Sequence, residues 1–167
     1  QYKSAYQLVF HDTLSAGLTF DESSVKVYVN DSKTPVATNQ YTITYPATDG
    51  HSFDVTIHDV RALGENVSKV RVEYEAELNK NAVIGAVGNP NEMHMEFSNN
   101  PNSTTGTEKG QTPTDKVIVF TYKVIVNKIN SDRQPLSGAA FKLEKILKDG
   151  SKKVVKEYTI GEDENDP

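Results

Sequence analysis

Nearly every patterned stretch of this chain alternates with period two. Val25-Lys26-Val27-Tyr28-Val29 does so, as do Tyr41–Tyr45 and Phe53–Ile57. The longest run, Val70–Leu78, is apolar on one face and charged on the other. That is the pattern of a half-exposed antiparallel strand. Apolar residues at every second position leave no helical stripe. Turn signals separate the runs at Asn30-Asp31-Ser32, Asp49-Gly50, Gly88-Asn89-Pro90 and Asp149-Gly150. The last lies between Phe141–Leu147 and Val154–Ile160 and predicts a hairpin. One short helix fits Asn79–Val83. The pattern predicts an all-β chain built from sandwiches.

Three polar residues fall where alternation calls for apolar ones. Asp12 continues the face of Leu8, Phe10 and Leu14; Asn99 that of Met93, Met95 and Phe97; Lys128 that of Tyr122, Val124 and Val126. On pattern alone each points into a core. An unpaired buried charge costs several kcal/mol, so each needs a partner or a local explanation. Local explanations exist. Asp12 can cap a turn before Leu14, Asn99 can belong to an Asn-Pro turn, and Lys128 can snorkel at a strand end.

Residues 100–116 carry no periodicity and are rich in Gly, Pro, Ser and Thr, which predicts a linker or long loop. It divides a first sandwich, 1–112, from a second, 117–167. The second is short against the roughly 100 residues of an immunoglobulin-like sandwich, and is expected to be incomplete. The first is expected to lack its opening strand. Glu162–Asp166 is an acidic stretch read as a solvated loop or tail.

Composition narrows the function. The 167 residues include 36% hydrophobic and 25% charged, with a net charge of -5 and no cysteine. No apolar run approaches the roughly 20 residues of a membrane span. The negative charge and the lack of a Lys/Arg cluster argue against nucleic-acid binding. Absent cysteine fits either an intracellular protein or a secreted one cross-linked by other means. His11, His51, His58 and His94 have no metal-ligand spacing, so strand-packing or surface roles and no metal site are expected. Asp21-Glu22 and Asp163-Glu164 lack the order of a calcium loop. No phosphate-cradling loop or nucleophile elbow is present, and no cofactor or enzymatic role is expected. Asn30, Asn66 and Asn102 each open a glycosylation sequon, which matters only in a glycosylating host.

Two stretches carry a family resemblance. Val126–Leu143, with Lys128 and Pro135-Leu136-Ser137-Gly138-Ala139-Ala140-Phe141-Lys142-Leu143, resembles the start of a Cna-B-type domain. Tyr6–Phe20, with Asp12-Thr13-Leu14-Ser15-Ala16-Gly17-Leu18-Thr19-Phe20, resembles the signature of fimbrial isopeptide-forming middle domains, and Glu96–Asn102 resembles their closing strand. The order is that of Gram-positive, streptococcal-type backbone pilins. The resemblance implies two Ig-like β-sandwich domains, the first Cna-A-like and fimbrial, the second Cna-B-like. It implies a secreted, cell-wall-anchored structural subunit of a pilus shaft, with neighbouring pilin subunits and a sortase as partners. The alternative is a matrix-binding surface adhesin built from the same modules.

The resemblance also implies chemistry. In the family a buried lysine attacks a buried asparagine, releases ammonia and leaves an amide cross-link, with an Asp or Glu assisting. Burial disfavours the ammonium and favours the protonated acid, and contact replaces a bimolecular encounter. Asp12 would be the assisting acid of the first domain and Asn99 its acceptor, with the donor lysine upstream of Tyr2. Lys3, outside the apolar run, is a poor substitute. Lys128 would be the donor of the second domain, its acid and acceptor beyond Pro167. The lysine used for polymerisation and the Leu-Pro-x-Thr-Gly sorting motif are also expected outside this chain.

Overall fold

The alternating runs become strands where the pattern places them. The computed structural model describes residues 3–123, 125–134 and 136–159. Among these residues ten strands are formed: β1 (Leu8–Leu14), β2 (Leu18–Val29), β3 (Tyr41–Thr44), β4 (Phe53–Ile57), β5 (Val70–Leu78), β6 (Asn89–Ser98), β7 (Lys109–Gln111), β8 (Asp115–Val119), β9 (Ala140–Ile146) and β10 (Lys152–Thr159). Short 3-10 helices occur at Thr38–Gln40 and Val60–Leu63. The helix expected at Asn79–Val83 is instead a turn, in which the Asn79 side chain accepts from the Asn81 amide at 2.8 Å. An asparagine that offers its neighbour this bond competes with helix formation. All four turn signals include a residue with positive φ: Asn30, Gly50, Gly88 and Gly150.

The chain forms two compact units, Gln1–Lys123 and Val124–Pro167. The boundary read from composition, between 112 and 117, falls inside the first unit. The polar stretch 100–116 holds β7, and β8 begins within it; both pair with β6. A strand of three residues such as Lys109-Gly110-Gln111 is too short to show a period, so its pairing is invisible in sequence.

The first unit is a sandwich. One sheet runs β3-β4-β1-β6, with β7 and β8 both on the far side of β6; the other pairs β2 with β5. The core lies between them: Leu8 from β1, Phe20, Val25 and Val27 from β2, Tyr41 from β3, and Phe53, Val55 and Ile57 from β4. The Phe20 and Phe53 rings stack at 3.8 Å, and Tyr74 of β5 meets both edge-on. Glu73, Glu75 and Glu77 of β5 are exposed, as its alternation requires. The polar run Asp21–Ser24 interrupts β2. Asp21 accepts from Ser23, Ser24 bonds back to the Asp21 carbonyl, and the ladder shifts register between Asp21 and Lys26.

The second unit is built on the β9–β10 hairpin around Asp149-Gly150. Phe141 and Tyr158 are opposite one another on its half-buried face. Leu143, Ile146, Val154 and Val155 are exposed. The acidic stretch Glu162–Asp166 lies outside the described residues.

Candidate functional site

Asp12 occupies the place alternation assigned to it. It projects from β1 into the sandwich, with only 4% of its surface exposed. Tyr74 Oη donates to its Oδ2 at 2.9 Å, and Asn91 Nδ2 donates to Tyr74 Oη at 2.5 Å. Burial pushes the Asp12 carboxyl up to about 6, against the opposing pull of Tyr74, Asn91 and the charge of His51. No lysine, among the described residues, is among the groups that act on it. The phenol of Tyr74 is raised in turn, first by burial and then by the neighbouring carboxyl. Asp12 Oδ1 and Asn91 Oδ1 are both buried without a hydrogen-bond partner. A protonated carboxyl is itself a donor, so a proton on Asp12 answers this shortage of hydrogens. A neutral acid lying against an amide can polarise its carbonyl.

The other two polar breaks are placed differently. Asn99 and Lys128 are exposed, not sheltered as the alternation predicts. Asn99 lies one residue past β6, and its backbone amide donates to the Glu108 carbonyl at 3.3 Å. Extrapolating the face of Met95 and Phe97 beyond the end of the strand therefore misassigns it. Lys128 precedes a turn organised by Asn130, whose side chain accepts from the amides of Asp132 and Gln134. The fold does not bring Asp12 and Asn99 together. In the β1–β6 ladder Asp12 faces Met93, and Asn99 stands six positions further along. At about 3.4 Å per residue that is roughly 20 Å. The amide beside Asp12 belongs to Asn91, a residue that sequence reasoning passed over. Its signal lay in the pairing: Leu14, two residues from Asp12, faces Asn91 across the ladder.

The histidines are also brought together. Asp54 of β4, His11 of β1 and His94 of β6 are register partners in one row across three strands. His11 and His94 stack at 4.8 Å, and His51, from the turn before β4, lies 4.7 Å from His11. Strand packing was the expectation for these residues, and they do pack; the convergence of acids upon them was not foreseen. His94 is held below the usual imidazole range, first by burial and then by the charges of His11 and His51. His58 stands apart, bonded to Thr42 at 2.7 Å.

Among the described residues no helix is long and apolar enough to cross a membrane. No protein-family model matches the chain. In sequence it is 29% identical over 149 residues to the trypsin-resistant surface T6 protein of Streptococcus pyogenes serotype M6, an alignment covering 78% of this chain and 27% of that protein. The chain thus spans little more than a quarter of the curated relative it matches. In structure it is similar to the T6 backbone pilin of the same organism, described as a modular three-domain protein, with a TM-score of 0.58 and 24% identity over 93% of this chain and 35% of the other. A weaker likeness, TM-score 0.44 and 22% identity over 93% of this chain and 26% of the other, is to the full-length major pilin RrgB of Streptococcus pneumoniae. The chain is thus similar in sequence to a streptococcal surface protein and, in its all-β sandwich fold, to a streptococcal backbone pilin.

Proposed function

We propose that this chain is part of a structural subunit of a cell-surface pilus shaft. The observation that carries the reading is the sequence similarity to a streptococcal surface protein over 149 residues, with a matching fold. Its partners are then neighbouring pilin subunits and the sortase that joins them, at the cell wall. Incubation of the full-length parent with sortase tests this. Covalent ladders are expected; a product that stays monomeric while the parent captures host matrix protein points to an adhesin instead.

The finer part of the proposal is an amide cross-link that stiffens the sandwich in place of disulfides. What supports it is a buried acid whose neutral form is favoured, lying against an amide among aromatic rings. In this reading Asp12 is the assisting acid, the lysine comes from outside the described residues, and Asn91 is the amide that Asp12 polarises. Asn99 and Lys128 are proposed as cross-link ends of other pairings, with partners outside the chain. A bond between terminal strands restricts the unfolded ensemble as a disulfide does. The intact mass of the parent is the test. Loss of one ammonia per bond is expected, abolished for the first unit by Asp12→Ala. Asn91→Ala and Asn99→Ala, compared separately, identify the acceptor. A mass equal to that encoded by the gene overturns the cross-link and leaves the shaft role standing.

A further inference from the structure

The outer face of the six-stranded sheet carries a group of donors outside the core and outside the hydrogen bonds of Asp12. Phe53, Val55 and Ile57 of β4 face the core, so Asp54 between them faces outward. His11 lies between Phe10 and Asp12 on β1 and shares that outer face. The pairing sets His11 opposite Asp54, and neighbouring strands are about 4.8 Å apart. Over this pair folds the turn Asp49-Gly50-His51, with Gly50 at φ +98°. Only glycine adopts that φ without strain, and it lets the residues on either side turn back to the sheet.

The donors converge. His11 Nδ1 lies 2.8 Å from Asp54 Oδ1 and 3.2 Å from Asp49 Oδ2. His51 Nδ1 lies 2.9 Å from Asp49 Oδ1. One ligand atom from each of the four residues falls within 4.8 Å of all the others. A single imidazole N–H cannot satisfy two carboxylates well, yet two are directed at His11 Nδ1. His11 and Asp54 are buried and held by the β1–β4 ladder, while Asp49 is exposed on an adjustable turn.

We propose that His11, Asp49, His51 and Asp54 form a binding site for one divalent transition-metal ion of the zinc type. Two neutral imidazoles and two carboxylates are a four-coordinate donor set, and the two carboxylate charges balance the cation. Bonds of about 2.0–2.2 Å in a tetrahedron place donors about 3.3–3.5 Å apart. The widest pair must close by up to about 1.5 Å, and the His11–Asp54 contact must open by about 0.6 Å, relative to that tetrahedral edge. The turn supplies two of the four ligands and can make this adjustment. His94 stacks on His11 at 4.8 Å and lies 5.1 Å from His51, and its packing holds the His11 ring plane. The ion ties the β3–β4 turn to the sheet.

The test uses the full chain, stripped with chelator and titrated with zinc chloride at neutral pH by calorimetry, with cobalt(II) as a spectroscopic probe of coordination. One equivalent of zinc is expected, together with a higher melting temperature, slowed amide exchange over residues 47–52, and an intense four-coordinate cobalt spectrum. Asp49→Asn and His51→Ala lie in the turn and leave the core untouched. Each is expected to keep the metal-free melting temperature and to weaken zinc by at least about tenfold, since loss of an outer-shell partner alone costs that much. His58→Ala is expected to bind as the parent does. Absence of stoichiometric zinc binding, or binding unchanged in both turn variants, overturns the site.

Discussion

The hydroxyl of Tyr74 reaches across the sandwich to donate a 2.9 Å hydrogen bond to Asp12, a residue 62 positions earlier in the chain. The bond joins the two sheets through a polar contact inside an apolar core, and Asn91 donates to the same hydroxyl. Tyr74→Phe removes the partner of two buried groups and keeps the ring packed on Phe20 and Phe53. A loss of about 1–3 kcal/mol is expected, with the Asp12 pKa moving further up because Tyr74 now lowers it. Urea unfolding gives the first quantity and carbonyl NMR titration the second.

Asp12 also sets a pH dependence. Its carboxyl titrates near 3.8 in an unfolded chain and near 6 in the fold. The folded state therefore favours the neutral acid. This contribution is fully present below about 3.8 and is lost as pH rises through about 6. Relative to Asp12→Asn, the parent is expected to lose about 2 kcal/mol of unfolding free energy between pH 4 and 7. Denaturation midpoints of the two proteins across that range check it; parallel curves would contradict the buried placement.

Asn89 is wholly buried and closes the 83–88 loop. Its Oδ1 accepts from the Val83 amide at 2.8 Å, and its Nδ2 donates to the carbonyls of Val83 and Val119 at 3.1 and 3.3 Å. Asn89→Ala removes three hydrogen bonds from part-buried backbone groups and is expected to cost about 1–3 kcal/mol. Gly17 is coupled to the same residue. A Cβ there would stand 2.1 Å from Asn89 Oδ1 and 2.7 Å from the Ala82 Cα. Gly17→Ala is expected to cost about 1–3 kcal/mol through that overlap, and the double variant less than the sum. Chemical denaturation of the three variants decides this.

Phe53 carries the aromatic stack with Phe20 and is 1% exposed. Phe53→Ala is expected to cost about 3–5 kcal/mol, while Phe53→Leu costs much less. Thermal unfolding of both checks whether the ring or only its volume matters.

The strands, the hairpin and the burial of Asp12 were legible because they rest on local periods. A side chain two residues from another shares its face wherever the strand continues, so β4 and β5 coincide with the runs Phe53–Ile57 and Val70–Leu78. The same rule failed at Asn99, where the strand had ended. It could not see β7 and β8, whose pairing with β6 is a contact between segments without a period of their own. Nor could it place Asn91 beside Asp12, or Asp54, His11 and His94 in one row, since strand register depends on which segments pair. Alternation is written in neighbouring residues, whereas pairing is settled by burying both sheets at once, and only the assembled sandwich brings together groups that lie tens of residues apart.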